Sequence, residues 1–238
     1  RERLAATGER AAGTAALNTS VGIRRAVHGS TDARAWLVRG LEAGDPLARL
    51  AVTDLMPAED DPALGAARAA RAADLRERQP GVALALELEA AHVAEAAGRL
   101  GEAAQAFARA LEVAPDALEA LFGLRRLVRR SGDRLAEARI LERIGDSLAS
   151  PARAAEAFAE AALLFEAAGD RAAAAPIYLK VLHRSPDDDE AFFRLRTIWE
   201  ERNEHARLER LIGHKLGRQG TPAERAALFV ARARLRLE

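Results

Sequence analysis

The chain contains no cysteine, which excludes disulfides, thiolate metal sites and a cysteine nucleophile. Aromatic residues fill 4% of its 238 positions, and Tyr and Met occur once each. Net charge is missing too, since 36 Lys+Arg balance 36 Asp+Glu. A general affinity for nucleic acid or an anionic membrane requires a basic excess, so no nucleic-acid partner is expected. No apolar run approaches the roughly 18 residues of a membrane-crossing helix, so no membrane insertion is expected. Lysine is scarce: Lys180 and Lys215 stand among arginines that supply every other permanent cation. With the abundant alanine, that usage points to a GC-rich, bacterial genome. The chain opens Arg1-Glu2-Arg3-Leu4 and closes in a helical pattern over 226–237, so it is expected to be a piece of a larger protein. Its compartment stays open, with the cytoplasm favoured.

Chemistry-bearing patterns are thin as well. The histidines, His28, His92, His183, His205 and His214, include no pair at the i, i+4 spacing of a helical zinc site. The acidic runs Glu59-Asp60-Asp61 and Asp187-Asp188-Asp189-Glu190 lack calcium-loop spacing, and the second reads as a helix start. Ser147, Ser150 and Ser185 have no nucleophile-elbow glycines, and Gly213, Gly217 and Gly220 lead into no phosphate loop. No catalytic residue, cofactor or metal is therefore assigned, and the chain is read as a non-enzyme.

What the sequence does contain is an internal repeat. Pro80, Pro151 and Pro222 stand 71 positions apart, and Gly98/Gly169, Ala103/Ala174, Phe107/Tyr178, Pro115/Pro186, Phe122/Phe193 and Leu124/Leu195 keep the same step. So many positions at one offset without a gap mark a repeat architecture. Ala, Leu, Glu and Arg dominate, all good helix formers. Ser150-Pro151 and Thr221-Pro222 place a capping hydroxyl before a proline at the first helical position, and Gly98 and Gly169 close apolar-periodic runs. These signals predict helices over about 80–97, 101–113, 117–131 and 134–148, and again over about 151–168, 171–184, 187–202 and 204–218. Residues 1–79 are expected to hold degenerate hairpins of the same kind. There Pro57 falls at a mid-helix position, and Asn18-Thr19-Ser20 and His28-Gly29-Ser30 are expected to interrupt helices.

Each period divides into two hairpins, and here the chain resembles the tetratricopeptide repeat family. Gly98, Ala103, Phe107, Ala110 and Pro115 match that family's turn glycine, second-helix alanine, aromatic, small residue and terminal proline. Gly169, Ala174, Tyr178, Val181 and Pro186 match again, Val181 imperfectly. The alternate units are looser: the alanine arrives one residue late at Ala138, Asn203 stands for the turn glycine, and Leu208 stands for alanine. The resemblance implies an all-α right-handed superhelix, a solenoid of stacked helix-turn-helix hairpins. Its units would be about 80–117, 118–150, 151–188 and 189–221, with a truncated unit at 222–238. It also implies that the first helix of each hairpin lines a concave groove.

On that basis the groove would include His92, Glu95, Phe122, Arg126, Leu163, Phe193, Thr197 and Glu200. Arg126, Arg129 and Arg130 share a helical face at spacings of three and four; they either meet an acidic partner or form a solvated surface. At the 71-residue step Thr197, Glu200 and Glu201 take their places. Phe122 and Phe193 either pack between units or reach the groove beside Leu121 and Phe192. The expected function is a non-enzymatic scaffold for a protein or peptide partner of unknown identity. The alternatives are an interaction or sensor arm of a larger enzyme or transcription regulator and, behind it, a nucleic-acid-binding helical repeat. Oligomeric state is not legible.

Overall fold

Strong helix formers dominate the composition, and among the described residues every regular element is a helix. The computed structural model describes residues 2–30, 32–55, 62–217 and 221–235. In chain order these form α1 Glu2–Val27, α2 Ala33–Glu42, α3 Pro46–Leu55, α4 Pro62–Leu75, α5 Pro80–Ala96, α6 Leu100–Val113 and α7 Leu118–Ser131. They continue with α8 Arg134–Ser147, α9 Pro151–Ala167, α10 Arg171–Arg184, α11 Asp189–Glu201, α12 His205–Leu216 and α13 Pro222–Leu235. The eight helices predicted over 80–218 are present within a few residues of their expected ends. The fold is an all-α helical repeat. Packing divides it into two compact units, residues 1–127 and 128–238.

The helix ends follow from residues with special backbone freedom. Gly98 and Gly169 adopt φ of +78° and +82°, and their neighbours' amides fold back in the same way: Arg99 N–H to Ala94 O and Asp170 N–H to Phe165 O, each at 2.9 Å. Asn203 takes over this role with φ +54° and a Glu204 N–H to Trp199 O bond of 2.9 Å. One capping expectation is corrected. Ser150 precedes Pro151 as predicted, but its hydroxyl makes no capping bond, and only its carbonyl joins the helix, accepting from Ala154 N–H at 2.9 Å. Side-chain caps come instead from Asp133, Asp170 and Asp188, whose carboxylates accept from the amides of Ala136, Ala173 and Ala191 at 2.9 Å.

In the first unit α1 packs on α2 and α3, and α4, α5 and α6 follow. The expected interruption at Asn18-Thr19-Ser20 does not occur, and α1 runs through it. Thr19 donates its hydroxyl to Ala15 O at 3.1 Å and is buried against α2, in the space left by the missing side chain of Gly40. The break at His28-Gly29-Ser30 is real, because Gly29 turns the chain at φ +67°. Pro57 and the 59–61 acidic run lie outside the described residues.

The hairpins α5/α6 and α9/α10 show how the repeat holds its core. Ala103, Phe107 and Ala110 are buried in the first, and Ala174, Tyr178 and Val181 in the second. Alanine lets the second helix approach the first, and the ring four residues later fills the space between them. One interior position changes chemistry between the copies. Glu87, 1% exposed, accepts from Arg109 Nε with both oxygens at 3.0 and 2.9 Å. At the 71-residue step the carboxylate becomes buried Phe158 and the guanidinium becomes Lys180. Lys180 Nζ lies 5.2 Å from the Phe158 ring centre and donates to Glu142 and Asp146 of α8. An ion pair in one copy is thus a cation–ring contact in the other.

Candidate functional site

In the first unit the residues in question sit on α5 and α7. Glu95 accepts from Arg126 Nε at 3.2 Å and Nη2 at 2.8 Å, a forked charge-assisted pair. That bond with Glu95, opposed in part by burial, raises the Arg126 pKa. His92 Nε2 lies 2.8 Å from Glu119 Oε1, and its ring meets Phe107 edge-on at 5.4 Å. Phe107 in turn presses on the backbone of α7: a Cβ added at Gly123 would stand 2.3 Å from its ring. Beside these contacts Leu121 is 0% exposed and Phe122 40%. The structure brings His92, Glu95 and Arg126 together through their partners and leaves the Phe122 ring at the surface.

The second unit carries the same carboxylates with different partners. Glu166, the 71-step counterpart of Glu95, accepts from Tyr178 O–H at 2.9 Å and from Arg194 Nη1 at 2.7 Å. Arg194 Nε donates to Glu190, the counterpart of Glu119, at 2.5 Å. Bonds to Glu190 and then Glu166 push the Arg194 pKa up. The exchange is coupled. Where the ring is Phe107, position 123 is glycine and Arg126 reaches Glu95 from one turn further on; where it is Tyr178, the glycine position is Arg194 and both reach one carboxylate.

Phe193 is 56% exposed, edge-on at 5.7 Å to the buried ring of Phe192. Lys215 Nζ lies 5.5 Å from the centre of the Phe192 ring and donates to Asp189 at 2.6 Å. Thr197 is exposed and returns its hydroxyl to Phe193 O at 3.0 Å, while Glu200 accepts from Arg196 at 2.6 Å. Leu163 is 44% exposed, and Arg129 and Arg130 are exposed at the end of α7. Sequence reasoning missed Glu119, Arg194 and Tyr178 as partners. The signal available was Glu119/Glu190 at the 71-residue step.

Burial, and then the bond to Glu166, pushes the Tyr178 phenol well above its ordinary value of 10.0. The folded state therefore keeps this proton at a pH where the unfolded chain releases it, so Tyr178 stabilises the fold fully below pH 10 and progressively less above it. Tyr178 is the sole tyrosine of the 238 residues. Tyrosinate absorbance during an alkaline titration should stay flat through pH 10 and rise only together with loss of helical circular dichroism. A phenolate signal centred at pH 10 in the folded protein would contradict the buried bond.

No helix of the described residues is long and apolar enough to cross a membrane. No protein-family model and no curated protein matches the chain. Among solved structures, a tetratricopeptide repeat protein from Parabacteroides merdae is similar at 17% identity and a TM-score of 0.33, over 91% of this chain and 86% of that one. At that TM-score the likeness adds nothing to the hairpin plan read from the residues themselves.

Proposed function

We propose that the chain is a non-enzymatic protein–protein interaction scaffold, binding a peptide, helix or small folded protein on the first helices of its hairpins, within a larger bacterial assembly or regulatory protein. The observation that carries this reading is the paired exposure of Phe122 and Phe193. Each stands beside a buried apolar neighbour, Leu121 or Phe192, that already fills the core position. A large ring that is 40% or more exposed at the same step of the repeat is not needed to fill the core, and aromatic side chains are the usual energetic centres of protein interfaces. Phe122 belongs to the first unit and Phe193 to the second, and each is taken as an anchor of its own unit.

Around these rings His92, Glu95, Arg126, Thr197 and Glu200 are held by intramolecular bonds, so little side-chain freedom is lost on binding. Leu163, Arg129 and Arg130 are taken with Phe193 as candidates in the second unit. The test is affinity purification of the intact protein, identification of the partner, and titration of that partner against variants. Phe122→Ala or Phe193→Ala should weaken binding by about tenfold or more, about 1.4 kcal/mol, with helicity and melting unchanged. Binding equal to the parent in both variants, or loss of folding, would overturn the assignment.

A further inference from the structure

A second surface lies in the second unit, on the other helices of its hairpins. α10 packs on α9 and α11, and α12 on α11 and α13, while α10 and α12 hardly approach one another. Between them runs a groove of about 740 Å³. Its apolar lining comes from Leu179 and Leu182 of α10, Leu211 of α12 and Trp199 of α11.

One side-chain group in this lining has no partner among the described residues, and one helical amide is missing. Trp199 is 4% exposed, yet its Nε1 has no acceptor among the described residues. A buried donor left unpaired is costly and calls for an acceptor. On the facing helix, Pro176 has no N–H to offer the carbonyl of Ala172, four residues earlier, and both residues line the groove.

The rim is positive. Arg202 and Arg207 share the one carboxylate of the lining, Glu204, at 2.9 and 2.6 Å. Arg210 Nε donates to the carbonyl of Ala206 at 3.1 Å and meets no carboxylate among the described residues. Three guanidinium groups thus face one carboxylate.

We propose that the groove between α10 and α12 binds an acidic peptide carrying a bulky apolar side chain. That side chain covers Leu179, Leu182 and Leu211 beside the buried Trp199, and the flanking carboxylates meet Arg207 and Arg210. A nucleic acid would satisfy the rim but leave the apolar floor open to water, and a basic peptide would be repelled by the rim. The site shares no residue with the proposed Phe122 and Phe193 surface and stands independently of it.

The test is calorimetric titration of the unmodified chain with the hexapeptide Asp-Glu-Leu-Phe-Asp-Glu, paired with tryptophan emission in a Trp36→Phe variant, where Trp199 alone reports. Saturable binding with a change in Trp199 emission is expected. Binding should be about tenfold weaker or worse for Lys-Arg-Leu-Phe-Lys-Arg, for Asp-Glu-Ala-Ala-Asp-Glu, and in an Arg207→Glu/Arg210→Glu variant of unchanged helicity. Phe193→Ala should bind the acidic peptide like the parent. No saturable binding, equal binding of the basic peptide, or tighter binding of oligothymidylate would overturn the proposal. So would self-association of the chain that disappears in Arg207→Glu/Arg210→Glu, which would assign the groove to a second copy.

Discussion

Arg109→Met should destabilise the first unit by about 3 kcal/mol, the range seen when one partner of a buried ion pair is removed. The asymmetry of the pair sets the direction. Glu87 is 1% exposed and takes both its hydrogen bonds from Arg109, whereas the Arg109 side chain is 35% exposed and can turn to water. Removing the arginine leaves a carboxylate in the interior without a counter-charge. Glu87→Leu should therefore cost less than Arg109→Met. The double variant Glu87→Leu/Arg109→Met should recover most of the loss, because well-packed apolar groups commonly equal or exceed a buried pair in stability. Urea unfolding followed by circular dichroism measures all three. Additive single-variant losses in the double variant would show that the two side chains do not act as a pair.

Gly123→Ala should cost about 2–3 kcal/mol, at the upper end of the penalty for forcing a methyl group into a packed interior. The new Cβ would stand 2.3, 2.5 and 2.6 Å from three atoms of the Phe107 ring. That ring is 0% exposed, so it cannot move aside into solvent. Combining Gly123→Ala with Phe107→Leu should cost less than the two single losses together, since a smaller side chain vacates the contested space. Gly101 is the internal control. It lies in α6 with nothing within 4 Å of an added Cβ, so Gly101→Ala should stabilise by about 0.5 kcal/mol through the unfolded state. A neutral Gly123→Ala would mean that α7 and Phe107 are not in contact.

The helices of residues 80–218 were legible because their ends are written in residues with local consequences. Gly98 and Gly169 admit the left-handed turn, Pro151 suits the first turn of a helix, and Asn203 is among the few residues other than glycine that tolerate the same turn. The continuity of α1 was not legible: Thr19 returns its hydroxyl to its own helix at Ala15 O, and its burial beside Gly40 of α2 is a tertiary fact. Partner choice was hidden for the same reason. Glu95 and Glu166 stand at one step of the repeat, and the Gly123/Arg194 and Arg126/Thr197 differences are plain in the sequence. But that α7 and α11 bring these positions to the two carboxylates is known only from packing. The groove between α10 and α12 depends on what two helices fail to fill, and no periodicity records a gap.

The two lysines give the molecule an unusual reactivity map. Lys180 and Lys215 both lie in the second unit, each above a phenylalanine ring and each hydrogen-bonded to carboxylates. Burial alone would lower the Lys180 pKa, but bonds to Asp146 and Glu142 outweigh it and raise the value, which keeps the amine protonated and slow toward electrophiles. Acylation there would remove the charge and leave one N–H where the ammonium now makes three hydrogen bonds. Lysine-directed labels and cross-linkers will therefore leave residues 1–127 silent. Any signal they do produce from 128–238 will report opening of an ion pair as much as proximity to another molecule.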